Sequence, residues 1–323
     1  MRNLITGVNG FAASHLIDLL LKNGEEVFGV SRDIEKNQKT KDLGKKIKTF
    51  SCDIRNIAQL EKVVAEINPE RIYHLASISN PSEAAKAFKT AFETNALGTL
   101  NLFEAVKSNK ISPRIISIGS SQEYGFVRQE EMPISEKVAI TPVSPYGISK
   151  AYAGVLGQLF FFRDGLEIIH VRPFNHTGPG QAEKYVCSEF AKKIAEVELK
   201  KDPKVEVGNL NIERDFMDVR DTVRAYYSLM TKGEPGKAYN VCSGKPVLIK
   251  EVLSVLKKLA KQEIFVIENS ELFREGEQPK YYGNRDLISR QTGWEPKISL
   301  KQTLSDLLEY WREKNQGKKA YNG

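Results

Sequence analysis

The stretch TGVNGFAAS, residues 6–14, constrains the fold of this chain most. It joins a short apolar run, NLI, to FAASHLIDLLLKNG, where apolar residues recur at helical spacing and Asn23-Gly24 supplies a stop. Gly7 permits a tight turn between the two. Gly10, three residues on, lets backbone N–H groups approach an anion at the positive end of the following helix. Ala13 offers the small side chain that close helix–strand packing needs. A glycine pair by itself is an ordinary strand–helix turn. Between the first strand and first helix of an alternating chain it predicts a dinucleotide turn, with Gly7, Asn9, Gly10, Phe11 and Ala12 around a pyrophosphate.

The alternation is there. EVFGVS, IKTFSCDI, RIYHLAS, RIISIGSS and EIIHVRPFN read as further strands. Between them lie helical patterns: IAQLEKVVAEIN, one long helix over AAKAFKTAFETNALGTLNLFEAVKSN, and SPYGISKAYAGVLGQLFFFRDG. This order predicts an α/β fold of Rossmann type, a doubly wound parallel sheet with helices on both faces. Past residue 175 the elements shorten and loops such as HTGPGQ, GEPGK and GWEP intervene. The expected division is a nucleotide-binding domain over 1–175 and a smaller, mainly substrate-binding lobe over 176–323. Segments around 210–245 are expected to return to the first domain, AYNVCSG as a late strand of its sheet.

Composition narrows the function classes. With 41% apolar and 28% charged residues the chain reads as a soluble globular protein. No apolar run approaches the roughly 20 residues of a membrane span, and the chain enters a strand almost at once without a signal peptide. Cys52, Cys187 and Cys242 show no CxxC spacing, so they read as small core residues of a reducing compartment, with no metal site. A cytoplasmic location is expected. The net charge of +7 comes from lysine runs at 35–48 and in the C-terminal tail, with no aromatic residues interleaved. That pattern is a solvated surface and not a nucleic-acid groove.

The end of the second strand selects the dinucleotide. An acidic residue there suits a ribose hydroxyl, and an arginine suits a 2′-phosphate. VSRD places Arg32 first, which favours NADP(H), and Asp33 second, which leaves NAD(H) open. Asp53 and Ile54, after the third strand, are placed for the adenine, and Leu75, Ala76 and Ser77, ending the fourth, for the cofactor's path.

Two clusters carry the chemistry, IGSSQEYG and SPYGISK. Ser120 ends the fifth strand at the sheet edge where ligands bind in such folds. Tyr146 and Lys150, four apart on a helix, share a face. An ammonium near a phenol is expected to lower its pKa. The tyrosine would exchange a proton with a carbonyl or alcohol oxygen, the serine would hold that oxygen, and the lysine would orient the nicotinamide ribose.

TGVNGFAAS, HLAS, TNALGTLNLFEA, SSQEYG, SPYGISK and RPFNHTGPGQ, in this order, resemble the extended short-chain dehydrogenase/reductase superfamily in its nucleotide-sugar-modifying branch. Within that branch FNHTGPGQ, VGNL, RDFMDVRD, YNVCSG and FREGEQP are most similar to the GDP-4-keto-6-deoxy-D-mannose reductases, with GDP-mannose 4,6-dehydratases close by. The resemblance implies a catalytic set of Ser120, Tyr146 and Lys150. It implies a cofactor set that adds Asn95 and Pro173 to those named above. It further implies that Ser121, Gln122, Asn175, Val186, Asn209, Arg214, Arg274 and Glu277 hold a GDP-sugar. Pairing of the two long helices, about 84–108 and 145–163, would make a homodimer.

Gln122 separates these relatives. The dehydratases carry glutamate at the matching position, as base and acid for water elimination, and an amide cannot exchange a proton at neutral pH. Glu123 is adjacent, but on a strand or extended turn neighbouring side chains face opposite ways. The expected reaction is therefore NADPH-dependent reduction of the C4 ketone of a GDP-4-keto-6-deoxy-hexose. A nucleotide-sugar 4-epimerase, a 4,6-dehydratase and a regulatory cofactor-binding protein are the alternatives. His74 and His170 read as satisfied core histidines, His15 lacks a second metal ligand, and His176 is the one placed to touch substrate.

Overall fold

The computed structural model describes residues 1–32, 34, 45–199, 203–273 and 276–321, with side chains to residue 316. Asp33 and Arg274 lie outside the described residues. Strands β1 (Arg2–Thr6), β2 (Glu26–Ser31), β3 (Lys48–Ser51), β4 (Arg71–His74), β5 (Arg114–Ile118), β6 (Ile168–Pro173) and β10 (Ala238–Val241) form one sheet, ordered β10-β6-β5-β4-β1-β2-β3. Every neighbouring pair in it is parallel. The chain winds outward from β1 to β3, then crosses back to β4 on the other side of β1. Ligands of such sheets bind at that switch point, outside the carboxyl ends of the strands.

Apolar side chains seal both faces. On one, α1 (Phe11–Lys22) and α8 (Val219–Lys232) bury Leu16, Ile17, Leu20, Tyr226 and Leu229. On the other, α2 (Ile57–Ile67), α5 (Gly98–Ser108) and α6 (Pro145–Asp164) bury Leu60, Val64, Phe103 and Phe160. Each such side chain stabilises by roughly 1.5–3 kcal/mol. Local signals set the helix ends. Asn56 and Ser144 accept hydrogen bonds from N–H groups of the first turns of α2 and α6, and Gly165, with φ 70°, closes α6.

The long helix expected over 84–108 is broken into pieces. Helix α3 (Pro81–Lys86) stops at Ala87, α4 (Phe88–Phe92) restarts, and a π-helical turn at Glu93–Leu97 precedes α5. The wide turn carries Asn95 inward. Its Oδ1 accepts from the Ile78 N–H at 2.8 Å, and its Nδ2 donates to the Ile78 carbonyl at 3.1 Å. Such bulges trade one helical register for a side chain aimed elsewhere.

A second body of structure lies over the strand ends. Strand β9 (Glu213–Asp218) pairs with β7 (Asn175–Thr177), β11 (Pro246–Leu248) and β13 (Lys280–Tyr281), and β8 (Lys204–Val207) pairs with β12 (Phe265–Glu268). Helices α7 (Val186–Val197), α9 (Ile249–Leu259) and α11 (Leu300–Tyr321) enclose its core of Phe190, Ile194, Leu256, Leu308 and Trp311. Helix α10 (Asp286–Thr292) packs beside α8. All three cysteines are buried and unbonded to one another. No helix among the described residues is long and apolar enough to cross a membrane.

Candidate active site

Between the sheet's carboxyl edge and the second body runs a cleft of about 1000 Å³. Its floor begins at the glycine turn. Gly7 has φ +70°, and a Cβ there would lie 2.6 Å from the Ala76 Cα, so the turn packs backbone to backbone against the end of β4. Gly10 caps α1 with no side-chain cap hydrogen bond. Gly10, Phe11, Ala12 and Ala13 line the cleft, so the N-terminal end of α1 is placed to receive an anion. The turn thus fits the pyrophosphate of a nicotinamide dinucleotide. Asn9 is anchored by donating to the Ser31 hydroxyl at 2.8 Å.

The remaining floor follows the strand ends. Arg32, Asp53, Ile54, Leu75, Ala76, Ser77 and Pro173 all line the cleft, as expected, and so do Phe11 and Ala12. Asp53 is held by Arg55, whose Nη2 lies 2.6 Å from Oδ2. That hydrogen bond keeps the carboxyl below its ordinary range, and the Arg32 charge adds to the effect. Asn95 is the exception. It is buried and lies off the cleft, where it clamps the Ile78 backbone and donates to the Ser149 hydroxyl at 3.0 Å. Its contacts are with the loop that follows β4 and with α6.

At the middle of the floor the two chemical clusters meet. Ser120, two residues past β5, caps a 3₁₀ turn, Ser121–Tyr124, where the sequence suggested a strand or extended turn. The turn tightens because the Ser120 Oγ accepts from the Gln122 N–H at 3.1 Å and the Glu123 carboxylate accepts from the Ser120 N–H at 2.8 Å. Tyr146 and Lys150 project from α6 beside it, and the Tyr146 phenol is hydrogen-bonded to Ser120. Lys150 Nζ donates to the Ile118 carbonyl at 2.7 Å, and burial pushes its pKa down to about 8.

The phenol departs from expectation. Burial pushes its pKa above the ordinary tyrosine value, and the Ser120 hydrogen bond only partly offsets this. Desolvation outweighs a lysine whose ammonium is committed to a carbonyl. With the groups of this chain alone, Tyr146 is a protonated acid.

Gln122 and Glu123 diverge, as neighbours on a turn must. The Gln122 side chain lines the cleft and accepts from the Ser144 hydroxyl at 3.1 Å. Glu123 is fully buried behind the turn with His170 and Arg172. His170, expected to be satisfied, bonds Glu123 through Nε2 but leaves its buried Nδ1 without a partner among the described residues, whereas His74 is satisfied by the Thr6 and Thr99 hydroxyls, with its pKa pushed down to about 3 by burial.

Ser121 of the floor also lines the cleft, and the opposite wall brings together Asn175, Val186, Asn209, Arg214 and Glu277. Arg214 Nη1 donates to the Glu213 and Gln278 carbonyls at 2.8 Å, and its Nη2 lies 3.6 Å from Glu277. Asn175 donates to the Asp215 carbonyl at 3.2 Å. His176 lines the cleft, stacked on Phe11 with ring centroids 6.0 Å apart. Sequence reasoning missed Tyr185, Gln278 and Tyr281. Tyr185 meets the Ser79 hydroxyl at 3.2 Å across the cleft, and Tyr281 donates to the Ser121 carbonyl at 2.6 Å. They stand in irregular loops or a two-residue strand, with no periodicity or motif to mark them.

Known proteins give the same reading of the chain. Residues 4–307 match the family described as GDP-mannose 4,6 dehydratase. The chain is 34% identical over 247 residues to GDP-6-deoxy-D-mannose reductase of Pseudomonas aeruginosa, covering 76% of this chain and 81% of that protein. It superposes on the structure of RMD from Pseudomonas aeruginosa complexed with NADPH with a TM-score of 0.86 and 31% identity, over 97% of this chain and 99% of that one. UDP-glucose 4-epimerase of Thermotoga maritima, solved with UDP-glucose, gives a TM-score of 0.88 at 26% identity, over 98% and 100% of the two chains. A cleft floored by a glycine turn and a serine, tyrosine and lysine, under a match spanning nearly its whole length, makes this chain a member of the GDP-mannose 4,6 dehydratase family of extended short-chain dehydrogenase/reductases.

Proposed function

We propose that the protein reduces the C4 ketone of a GDP-4-keto-6-deoxy-hexose to the alcohol, with NADPH as reductant and a GDP-D-rhamnose-type product. The observation that carries this is the placement of the two residues after Ser121. Gln122, an amide, faces the cleft, whereas the Glu123 carboxylate is sealed behind it. Water elimination needs a proton-exchanging group at the neighbouring carbons, and reduction does not. The identity to a reductase over three quarters of the chain agrees.

In this reading Gly7, Asn9, Gly10, Phe11 and Ala12 hold the pyrophosphate, Asp53 and Ile54 the adenosine end, and Leu75, Ala76, Ser77 and Pro173 the path between. Arg32, exposed at the end of β2, favours the 2′-phosphate of NADPH. The reduced nicotinamide supplies hydride when bound. Tyr146, held protonated, gives its proton to the C4 oxygen. Ser120 donates a hydrogen bond to the same oxygen, and the Lys150 ammonium stabilises the phenolate left behind. Ser121 and Gln122 from the floor, with Asn175, Val186, Asn209, Arg214 and Glu277 from the opposite wall, hold the sugar nucleotide. The two-part division at residue 175 then separates cofactor from substrate binding, and the buried free thiols suit a reducing cytoplasm.

The test is to mix protein, NADPH and GDP-4-keto-6-deoxy-D-mannose and follow nicotinamide absorbance. Steady oxidation is expected. Turnover of another nucleotide sugar with no net oxidation would instead make the protein an epimerase.

The outward side of α6 carries Ile148, Tyr152, Val155, Leu159 and Phe162 at helical spacing, with Val155 61% and Phe162 80% exposed. A stripe this apolar on a soluble chain fits a second copy. The proposed homodimer should run as a monomer in sedimentation after Val155→Glu with Phe162→Asp. An unchanged sedimentation coefficient would remove it.

A further inference from the structure

Behind Ser120, on the side away from the cleft, lies a buried charge cluster that the proposed reaction does not use. Glu123 Oε1 accepts from the Ser120 N–H at 2.8 Å and meets His170 Nε2 at 2.9 Å. Oε2 accepts from Arg172 Nε at 2.8 Å. Arg172 Nη1 donates to the Tyr124 hydroxyl at 3.2 Å, which donates to Asn240 Oδ1 at 2.7 Å. Two glycines make room for the cluster. A Cβ on Gly119 would overlap Glu123 Oε1, and one on Gly154 would lie 2.8 Å from His170 Nε2. Neither Glu123 nor Tyr124 lines the cleft.

A hydrophobic side chain could fill this space without the desolvation that a buried carboxylate incurs. What the carboxylate adds is an acceptor, fixed from two directions, for one backbone N–H. That N–H belongs to Ser120, the residue whose hydroxyl meets the Tyr146 phenol. The front of the same turn is pinned by Tyr281 on the Ser121 carbonyl and by Ser144 on Gln122. The Glu123 charge also favours the protonated forms of Tyr146 and Lys150, the states in which an acid and its supporting cation act.

We propose that Glu123, braced by Arg172 and His170, is the positioning residue for Ser120: it fixes the start of the 3₁₀ turn so that the hydroxyl is presented to Tyr146 and to the reacting oxygen. The inference rests on the reading of Ser120 as a catalytic hydroxyl.

Removing the carboxylate alone strands the Arg172 charge, so two variants are needed. Glu123→Gln combined with Arg172→Met, the Gln protein, keeps a neutral acceptor for the Ser120 N–H and strands no charge. Glu123→Leu combined with Arg172→Met removes both charges at similar volume. Hydrogen exchange over residues 119–124, read by mass spectrometry, should quicken in the Leu/Met protein and change less in the Gln protein. The kcat of the Leu/Met protein should fall about 10²-fold, with NADPH Kd and sugar KM held within a factor of about two. The Gln protein should recover most of that loss.

Repeating the Leu/Met exchange in a Ser120→Ala background decides the route. If Glu123 acts through Ser120, the further loss there is about threefold at most. A full, additive loss in that background, or unchanged exchange and kcat in the Leu/Met protein, overturns the proposal. Should the native protein turn over no nucleotide sugar, the functional reading fails on its own account. Exchange at 119–124 still decides whether Glu123 holds Ser120.

Discussion

On the floor of the cleft the working surface is backbone, and on the opposite wall it is side chain. Gly7 turns at φ +70° where a Cβ would meet the Ala76 backbone just past β4, and Gly10 caps α1 with no side-chain hydrogen bond. Across the gap, Arg214 reaches the Gln278 carbonyl 64 residues away, and Tyr281 reaches Ser121 160 residues away. A backbone cradle binds what every dinucleotide shares, its pyrophosphate. A wall of side chains can be reset one residue at a time, which is how one fold serves a reductase and an epimerase. The chemistry sits on the seam, and predictions at the seam and on each side test whether the halves are separable.

The largest effect is expected at the seam itself. Tyr146→Phe removes the proton donor and leaves both binding surfaces intact, so kcat should fall by about 10²–10⁴-fold. NADPH affinity, measured by fluorescence titration, should stay near the native value. A mutant that turns over normally would mean the phenol is a bystander. One that loses cofactor as well would mean the seam is part of the floor.

The same contrast explains what could be read from the sequence. TGVNGFAAS, the strand ends at Leu75–Ser77 and the Tyr146–Lys150 spacing were legible because each is local: a turn, a period or a helical face set by nearest neighbours. The breaks in the helix expected over 84–108 were missed because a π-helical turn has no signature in hydrophobic periodicity. The elevated phenol pKa was missed because burial belongs to the assembled fold, while a lysine four residues away is visible at once. Tyr185, Gln278 and Tyr281 were invisible for the reason that makes them specific: they act across gaps that only tertiary structure closes.

On the side-chain wall, Arg214→Ala removes charge-assisted hydrogen bonding that is worth about 1.5–3 kcal/mol, or roughly 10–10²-fold in sugar-nucleotide KM. If the halves are separable, NADPH affinity is untouched and kcat moves only slightly. Equal losses in both affinities would show instead that Arg214 matters through the Glu213 and Gln278 carbonyls it ties together.

Lys150 gives a smaller, pH-dependent effect. Its folded-state pKa is lowered, to about 8, so the ammonium is present below that pH and is lost above it. The free enzyme's kcat/KM should therefore be level toward neutrality and decline about tenfold per pH unit above roughly pH 8. A profile flat to pH 9.5 would mean that the charge is not needed, or that a bound phosphate group on the floor restores it.

The smallest effect should come from Arg32. It is exposed, and an exposed charge pair is worth about 0.2–1 kcal/mol, so Arg32→Ser should change the NADPH-to-NADH preference in kcat/KM by about fivefold at most. The change should fade as salt rises, because ions screen a solvent-facing phosphate–guanidinium pair over about 10 Å at 0.1 M. Sugar KM should not move, since Arg32 stands at the end of β2, a strand whose neighbours on either side also belong to the floor. A preference unchanged at low salt would assign the 2′ position to some other group. A shift in sugar KM would break the separation of floor from wall where it is expected to be cleanest.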